Sequence, residues 1–368
     1  MSRARAATRT LAVVAALALP LAACGQDSGG GGGRDDDAEG GTVGIAMPTK
    51  SSERWIADGD NVVSLFEEAG YEADLQYGEN RVENQISQIE NMIARGHDLL
   101  VIAAIDGSSL GNVLQQAADA GIPVVSYDRL LLNSEHVDSY ATFDNTKVGE
   151  LQGQYIVDAL ELEENPDESF AIELFAGSPD DNNTRYFFEG AMSVLDPYLE
   201  SGQLVVRSGQ TEMNEITTER WDGGIAQNRM DDLLTAHYRG EPLDAVLSPY
   251  DGMSIGVLSA LRSVGYGSGD RPFPVVTGQD AELASVKSIV AGEQTQTVYK
   301  DTRELARLAV AMGDALLSGE EPEVNDTESY DNGVKVVPAY LLEPVSIDAD
   351  NYELLIEEEY YTEAQVNG

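Results

Sequence analysis

From Thr42 onward, short apolar runs alternate with longer segments whose apolar residues recur at helical spacing. TVGIAMP (42–48) predicts a strand, and ERWIADGDNVVSLFEEAG (53–70) a helix that stops at Gly70. YEADLQYG is a strand of alternating polarity. NRVENQISQIENMIARG then sets Val82, Ile86, Ile89 and Ile93 at helical spacing and closes on Gly96. HDLLVIAA predicts a third strand, SSLGNVLQQAADAG a helix capped by serine, and GIPVVSYD a fourth strand.

The same alternation restarts near YATFDN (140–145). It predicts a helix over 145–160, the strand FAIELFAG, a helix from about 181, the strand QLVVRSG and a helix through Trp221 to Tyr238. DAVLSPY, PFPVVTGQD and TQTVYK are further strands, separated by helices over 252–264 and after Asp280, with a last helix over 301–318. VKVVPAYLLEPVSI is extended and crosses back. Regular strand–helix alternation means α/β architecture, here two doubly wound parallel-sheet lobes. Ligands in such sheets bind outside the carboxyl ends of the strands. Polar residues gather there: Lys50, Arg54, Asp106, Asp128 and Arg129 in the first lobe, then Asp180 to Asn183, Tyr250, Asp251, Asp280 and Lys300.

The amino-terminal residues are a different material. MSRARAATRT holds Arg3, Arg5 and Arg9 without an acid, LAVVAALALPLAA is a short apolar core, and Cys24 follows. Residues 1–23 therefore predict a signal peptide, too short in its apolar part for an ordinary span. LAAC resembles a bacterial lipobox, which implies a lipid on Cys24. Cys24 is the only cysteine, so no intrachain disulfide can form. Glycines and acids dominate residues 24–41 and predict a flexible tether. Together these features place a folded body at the outer face of a cell membrane.

Charge narrows the partners. The formal value is −43, or −46 once the three leader arginines are removed. Such a surface repels phosphate and anionic lipid headgroups, so nucleic-acid binding is excluded. Adaptation to a saline exterior and plain solubility both account for the acidity. Catalytic motifs are lacking. GYGSGD follows a helix rather than a strand, no P-loop or nucleophile elbow occurs, and His97, His136 and His237 show no metal-ligand spacing. Asp180 and Asp181 are adjacent and unsuited to flanking a glycosidic bond. Neither an enzyme nor a cofactor or metal is expected.

What remains is recognition. Asp128 and Arg129 end a valine-rich strand, where a buried charge is costly unless paired. They make either a salt bridge at the sheet rim or a pair for a neutral polyol, the carboxylate accepting from hydroxyls and the guanidinium donating to oxygens. Arg54 and Trp55 follow the first strand; Trp55 is either core or a flat wall for a sugar's C–H face. Trp221 offers a second wall or more core. Asn182 and Asn183 are helix caps or amide contacts, and Asp280 and Lys300 end strands that face the same cleft.

In order along the chain, SSERW, SQIENMIARG, YDRL, ATFDN, GSPDDNN, AVLSPYDG, GQDAELASVKSI, EVNDT and NGVKVVPAYLLEPV resemble the xylose- and multiple-sugar-binding periplasmic receptors of ABC transporters. The resemblance implies a type I periplasmic-binding-protein fold with two lobes joined by three crossings. It implies lobes of 42–144 with 301–332 and of 145–300 with 333–368. It implies ligand contacts at Arg54, Trp55, Asp128, Arg129, Asn182, Asn183, Asp280 and Lys300, with Tyr250 where some relatives carry asparagine. The implied ligand is a monosaccharide such as xylose, glucose or galactose, handed by a monomeric body to a membrane permease. A receptor that signals to a membrane sensor kinase is the alternative.

Overall fold

The computed structural model describes residues 40–269 and 271–368. Cys24, the leader and all but the last two residues of the tether lie outside them. In chain order the first elements are β1 (Thr42–Met47), α1 (Glu53–Glu68), β2 (Glu72–Tyr77), α2 (Val82–Arg95) and β3 (Leu99–Ile102). Then come α3 (Gly111–Asp119), β4 (Val124–Tyr127), β5 (Ser139–Phe143) and α4 (Asn145–Ala159). β6 (Phe170–Leu174), α5 (Asn183–Ser201), β7 (Leu204–Val206) and the short α6 (Met213–Ile216) follow. α7 (Gly223–His237), β8 (Ala245–Leu247), α8 (Asp251–Ser263) and β9 (Val275–Val276) continue the second lobe. The chain ends with α9 (Leu283–Val290), β10 (Gln296–Tyr299), α10 (Thr302–Ser318), β11 (Ala339–Leu342), β12 (Val345–Asp348), α11 (Leu354–Glu357) and α12 (Glu363–Asn367).

Six parallel strands in the order β11-β5-β4-β3-β1-β2 form one sheet, and four parallel strands, β7-β6-β8-β9, form the other. β10 and β12 pair antiparallel as a separate ribbon. Each face of the first sheet is covered: Ile89, Met92, Leu114 and Val124 lie in one buried cluster, and Val43, Phe66, Val101 and Leu305 in another. The near-continuous apolar strands of the sequence follow from this double coverage.

β5, at the YATFDN where the alternation restarts, belongs to the first sheet: it pairs in register with β4, Ala141 opposite Tyr127, and its Ala141 and Phe143 fill the first core. Two expectations change. The expected lobe boundary at 332/333 falls later, because Ala339 to Leu342 pair with Tyr140 to Phe143 in the first sheet. The chain therefore passes to the second lobe at Glu343 and Pro344, before β12 joins β10. No serine caps α3. Its N-cap is Leu110, since Ser108 and Ser109 are spent on the Asp106 carboxylate, at 2.7 and 2.5 Å.

Two glycines seat the helix that will carry cleft residues. A Cβ on Gly190 in α5 would lie 2.1 Å from the Thr146 carbonyl oxygen, and one on Gly149 in α4 would lie 2.0 Å from that of Phe187. Alanine ordinarily gains about 1 kcal/mol over glycine in a helix. Overpacking at about 1–3 kcal/mol outweighs that here. Gly190→Ala is expected to lower the urea midpoint; an unchanged or higher midpoint would show that the helices can part freely.

Candidate functional site

The strand ends of the two sheets face a shared cavity of about 570 Å³. Because α1 begins six residues after β1, Arg54, Trp55 and Asp58 all fall in its first turns, and all are buried. The Arg54 guanidinium donates through Nε to Asp58 (2.8 Å) and through Nη2 to Asp128 (2.5 Å), while Nη1 lies 3.7 Å from Asp280. The Tyr127 hydroxyl donates to the other oxygen of Asp58. Arg54 is thus fixed from behind by its own helix and aimed across the cleft.

Asp128 leaves β4 in the left-handed region, φ 58°. Aspartate is one of the few residues that tolerate this conformation. The turn is held by its own backbone: N–H donates to Ala141 (2.7 Å), and its carbonyl accepts from Tyr140 (2.5 Å), Thr142 (3.0 Å) and Asn183 (2.8 Å). The carboxylate is thereby turned toward Arg54. Asp280 also has left-handed backbone, φ 89°, and meets the Lys300 ammonium at 2.8 Å. Arg129 reaches over the cleft to Asp181, with Nε 2.9 Å from the carboxylate. Strain of order 1–3 kcal/mol per outlier persists only where the surroundings over-determine it, and it clusters at ligand clamps.

Aromatic rings supply the apolar part. The Arg54 and Arg129 guanidinium carbons stand 4.4 and 5.1 Å from the Trp55 ring centre. Trp221 meets Phe187 and Tyr250 edge-on, with centroids 6.1 Å away in both cases, and its Nε1 donates to Asp181 at 3.2 Å. Its ring rests on Gly177, where a Cβ would fall 1.9 Å from the nearest ring carbon. Trp221 does not sit within the long helix expected there; it ends a short 3-10 turn, Glu219–Trp221, and α7 starts at Gly223.

Nine of the ten sequence candidates line the cavity: Arg54, Trp55, Asp128, Arg129, Asn183, Trp221, Tyr250, Asp280 and Lys300. Asn182 does not; it is the N-cap of α5, one residue short of the cleft. Lys50 packs over the Tyr77 ring (4.7 Å) and Asp106 turns back on its serines, so neither reaches it. Sequence reasoning missed Asp58, Tyr127, Phe187 and Glu282. Asp58 carried a legible signal, the i, i+4 spacing from Arg54 on one helix.

The charges are strongly coupled. Burial alone would raise the Asp128 carboxyl, but Arg54 and Lys300 beside it hold it below the ordinary aspartate value. Burial lowers Arg54, yet Asp128, Asp58 and Asp280 raise it well above its usual value. Asp58, wholly buried, is pushed up to about 6 despite Arg54 and Tyr127. At the mouth, the Ser52 hydroxyl of the first lobe and the Tyr250 hydroxyl of the second both donate to Glu282, at 3.0 and 2.7 Å. Burial, with Asp280 adding to it, raises Glu282 to about 7. A cavity lined by carboxylates, guanidinium groups, an ammonium, amides and rings can hold a neutral ligand dense in hydroxyls. Among the described residues, no group of three or more His, Cys, Asp or Glu side chains is placed to hold a metal ion.

Comparison with known proteins agrees with this geometry. The sequence profile of the periplasmic binding protein domain matches residues 43–321. The multiple sugar-binding periplasmic protein SbpA of Azospirillum brasilense is 62% identical over 325 residues, 88% of this chain and 90% of the relative. The multiple sugar-binding periplasmic receptor ChvE of Rhizobium radiobacter is 59% identical over 330 residues, 89% and 93% of the two chains. Among solved structures, an ABC transporter solute-binding protein from Clostridium phytofermentans with bound β-D-glucose superposes with a TM-score of 0.85 at 50% identity. That likeness covers 88% of this chain and 99% of the other.

Proposed function

The chain belongs to the periplasmic binding protein family, and from that premise we propose that it is an extracytoplasmic receptor for a monosaccharide. It captures one sugar ring between its lobes and delivers it, without bond breaking, to the permease of an ABC transporter. The observation that carries this reading is the interlobe cavity, where Arg54, Asp128, Asp280 and Lys300 form one buried ionic network beside Trp55 and Phe187. A sugar offers hydroxyls to the carboxylates, ring and hydroxyl oxygens to the guanidinium groups, and a C–H face to the aromatics. Lipidation of Cys24 would keep the body at the membrane that holds the permease.

The mechanism is a population shift. A ligand that touches both lobes binds the closed arrangement better than the open one and draws the equilibrium toward it. A thermal-shift and calorimetric survey of xylose, glucose, galactose and arabinose tests the reading, because a bound ligand raises apparent stability by mass action. Affinity near 1 μM, about −8 kcal/mol, is the expected scale. No shift with any aldose would refute it.

Glu282 also carries a pH dependence. It sits with Tyr250, Asp280 and Asp251 of its own lobe in a strongly acidic corner. Its value of about 7 exceeds the ordinary 4.5, so its contribution to folding stability is full below 4.5 and lost as pH rises through 7. The urea midpoint is therefore expected to rise as the buffer is taken from pH 8 to pH 5, and Glu282→Gln should flatten that rise. An unaltered slope in the variant would assign the proton elsewhere.

A further inference from the structure

A single sugar ring does not fill the cavity. At about 30 Å³ per water its volume corresponds to on the order of twenty waters, and one hexose displaces roughly a third of them. The lining divides accordingly. Asp128, Asn183, Asp280 and Lys300 are buried, whereas Glu79 and Arg220, which line the same cavity, are exposed, and Asn80 is half-buried.

The two rims of this outer part share an unusual backbone. In the first lobe Glu79 and Asn80 are both left-handed, each with φ 54°. On the second-lobe part of the same lining, Arg220 and Trp221 are left-handed too, with φ 56° and 57°. Consecutive non-glycine residues in this region are costly, and each pair is pinned by its backbone: Asn80 N–H donates to Pro48 (3.0 Å) and Arg220 N–H to the Ser178 hydroxyl (2.7 Å). Yet among the described residues the side chains of Glu79, Asn80 and Arg220 have no hydrogen-bond or ion-pair partner in the protein. Strained backbone that holds up unpartnered polar groups at a cavity mouth is the pattern of a contact site awaiting its ligand.

We infer that this mouth is a second sugar subsite, so that the receptor also takes disaccharides, one ring in the buried chamber and the other between the rims. The inference rests on the monosaccharide reading for the inner ring. Chemistry selects a sugar over other substituents. Carboxylate, amide and guanidinium together donate to and accept from hydroxyls, whereas an apolar group would leave them desolvated and unpaired. An anionic group would meet Glu79, Asp180 and Asp222 on the same lining.

Calorimetry on the full body tests this with glucose, galactose and xylose against cellobiose, maltose, lactose and xylobiose. At least one disaccharide should bind within about tenfold of its component monosaccharide. Glycine suits left-handed backbone, so Arg220→Gly and Asn80→Gly should fold. Each is expected to weaken that disaccharide by about tenfold, the worth of one charged or amide hydrogen bond, and the monosaccharide by less than about twofold. Binding of monosaccharides with every disaccharide silent overturns the inference, as does equal weakening of both ligands. If neither class binds, the monosaccharide reading fails first and the subsite with it.

Discussion

Arg54→Met is expected to cost the protein about 3–5 kcal/mol at pH 7, the scale on which an ion-pair partner is lost from a buried site. The guanidinium touches Asp58 and Asp128 directly and stands near Asp280, all within the protein interior. Without it, three carboxylates share a region where Lys300 pairs directly only with Asp280 and acts on Asp128 from a distance. Their values should then rise above the unfolded ones, by burial and mutual repulsion. The sign follows by linkage: stability is present below the ordinary aspartate value and lost as pH rises through the raised ones, so the variant should recover on going from pH 8 to pH 5. Urea titrations at the two pH values measure it. A variant as stable as the parent at pH 8 would mean that the carboxylates find another counter-charge.

For binding, the largest effect belongs to Asp128→Asn. Asparagine keeps the shape and tolerates φ 58°, so the turn held by Ala141, Tyr140, Thr142 and Asn183 should survive. What disappears is the negative charge, with one of the two acceptor oxygens, that orders Arg54 and would receive sugar hydroxyls. Truncating one member of a buried hydrogen-bonded charge pair costs 2–5 kcal/mol or more, which is about 30- to several-thousand-fold in affinity. Calorimetry with the best-bound aldose, alongside circular dichroism to confirm folding, checks this. Affinity within twofold of the parent would remove Asp128 from the ligand site. Asp128→Ala should abolish binding as well, with the added strain of alanine in a left-handed turn.

Much of this is legible in the amino-acid sequence. Alternating strand and helix patterns gave the two parallel sheets, and strand-end polarity led to nine of the cavity's side chains. The connection from β4 to β5 contains no helix, so local pattern alone cannot say which sheet β5 joins. The misreadings have physical causes. β11 depends on pairing with residues some two hundred positions earlier, which no local periodicity encodes. Asn182 and Asn183 are chemically identical, and only the start of α5 decides which amide faces the cleft. Glu282 acquires its interest from Ser52, whose side chain meets it across the lobes.

The late return of the chain has a consequence for biogenesis. β11 completes the edge of the first sheet, and β12 completes the ribbon with β10, so both lobes wait for the final stretch of sequence. A ribosome that has made the first three hundred residues has released every helix and strand of the early part but neither finished lobe. Native pairing in both lobes is therefore expected only once residues 339–348 have been made.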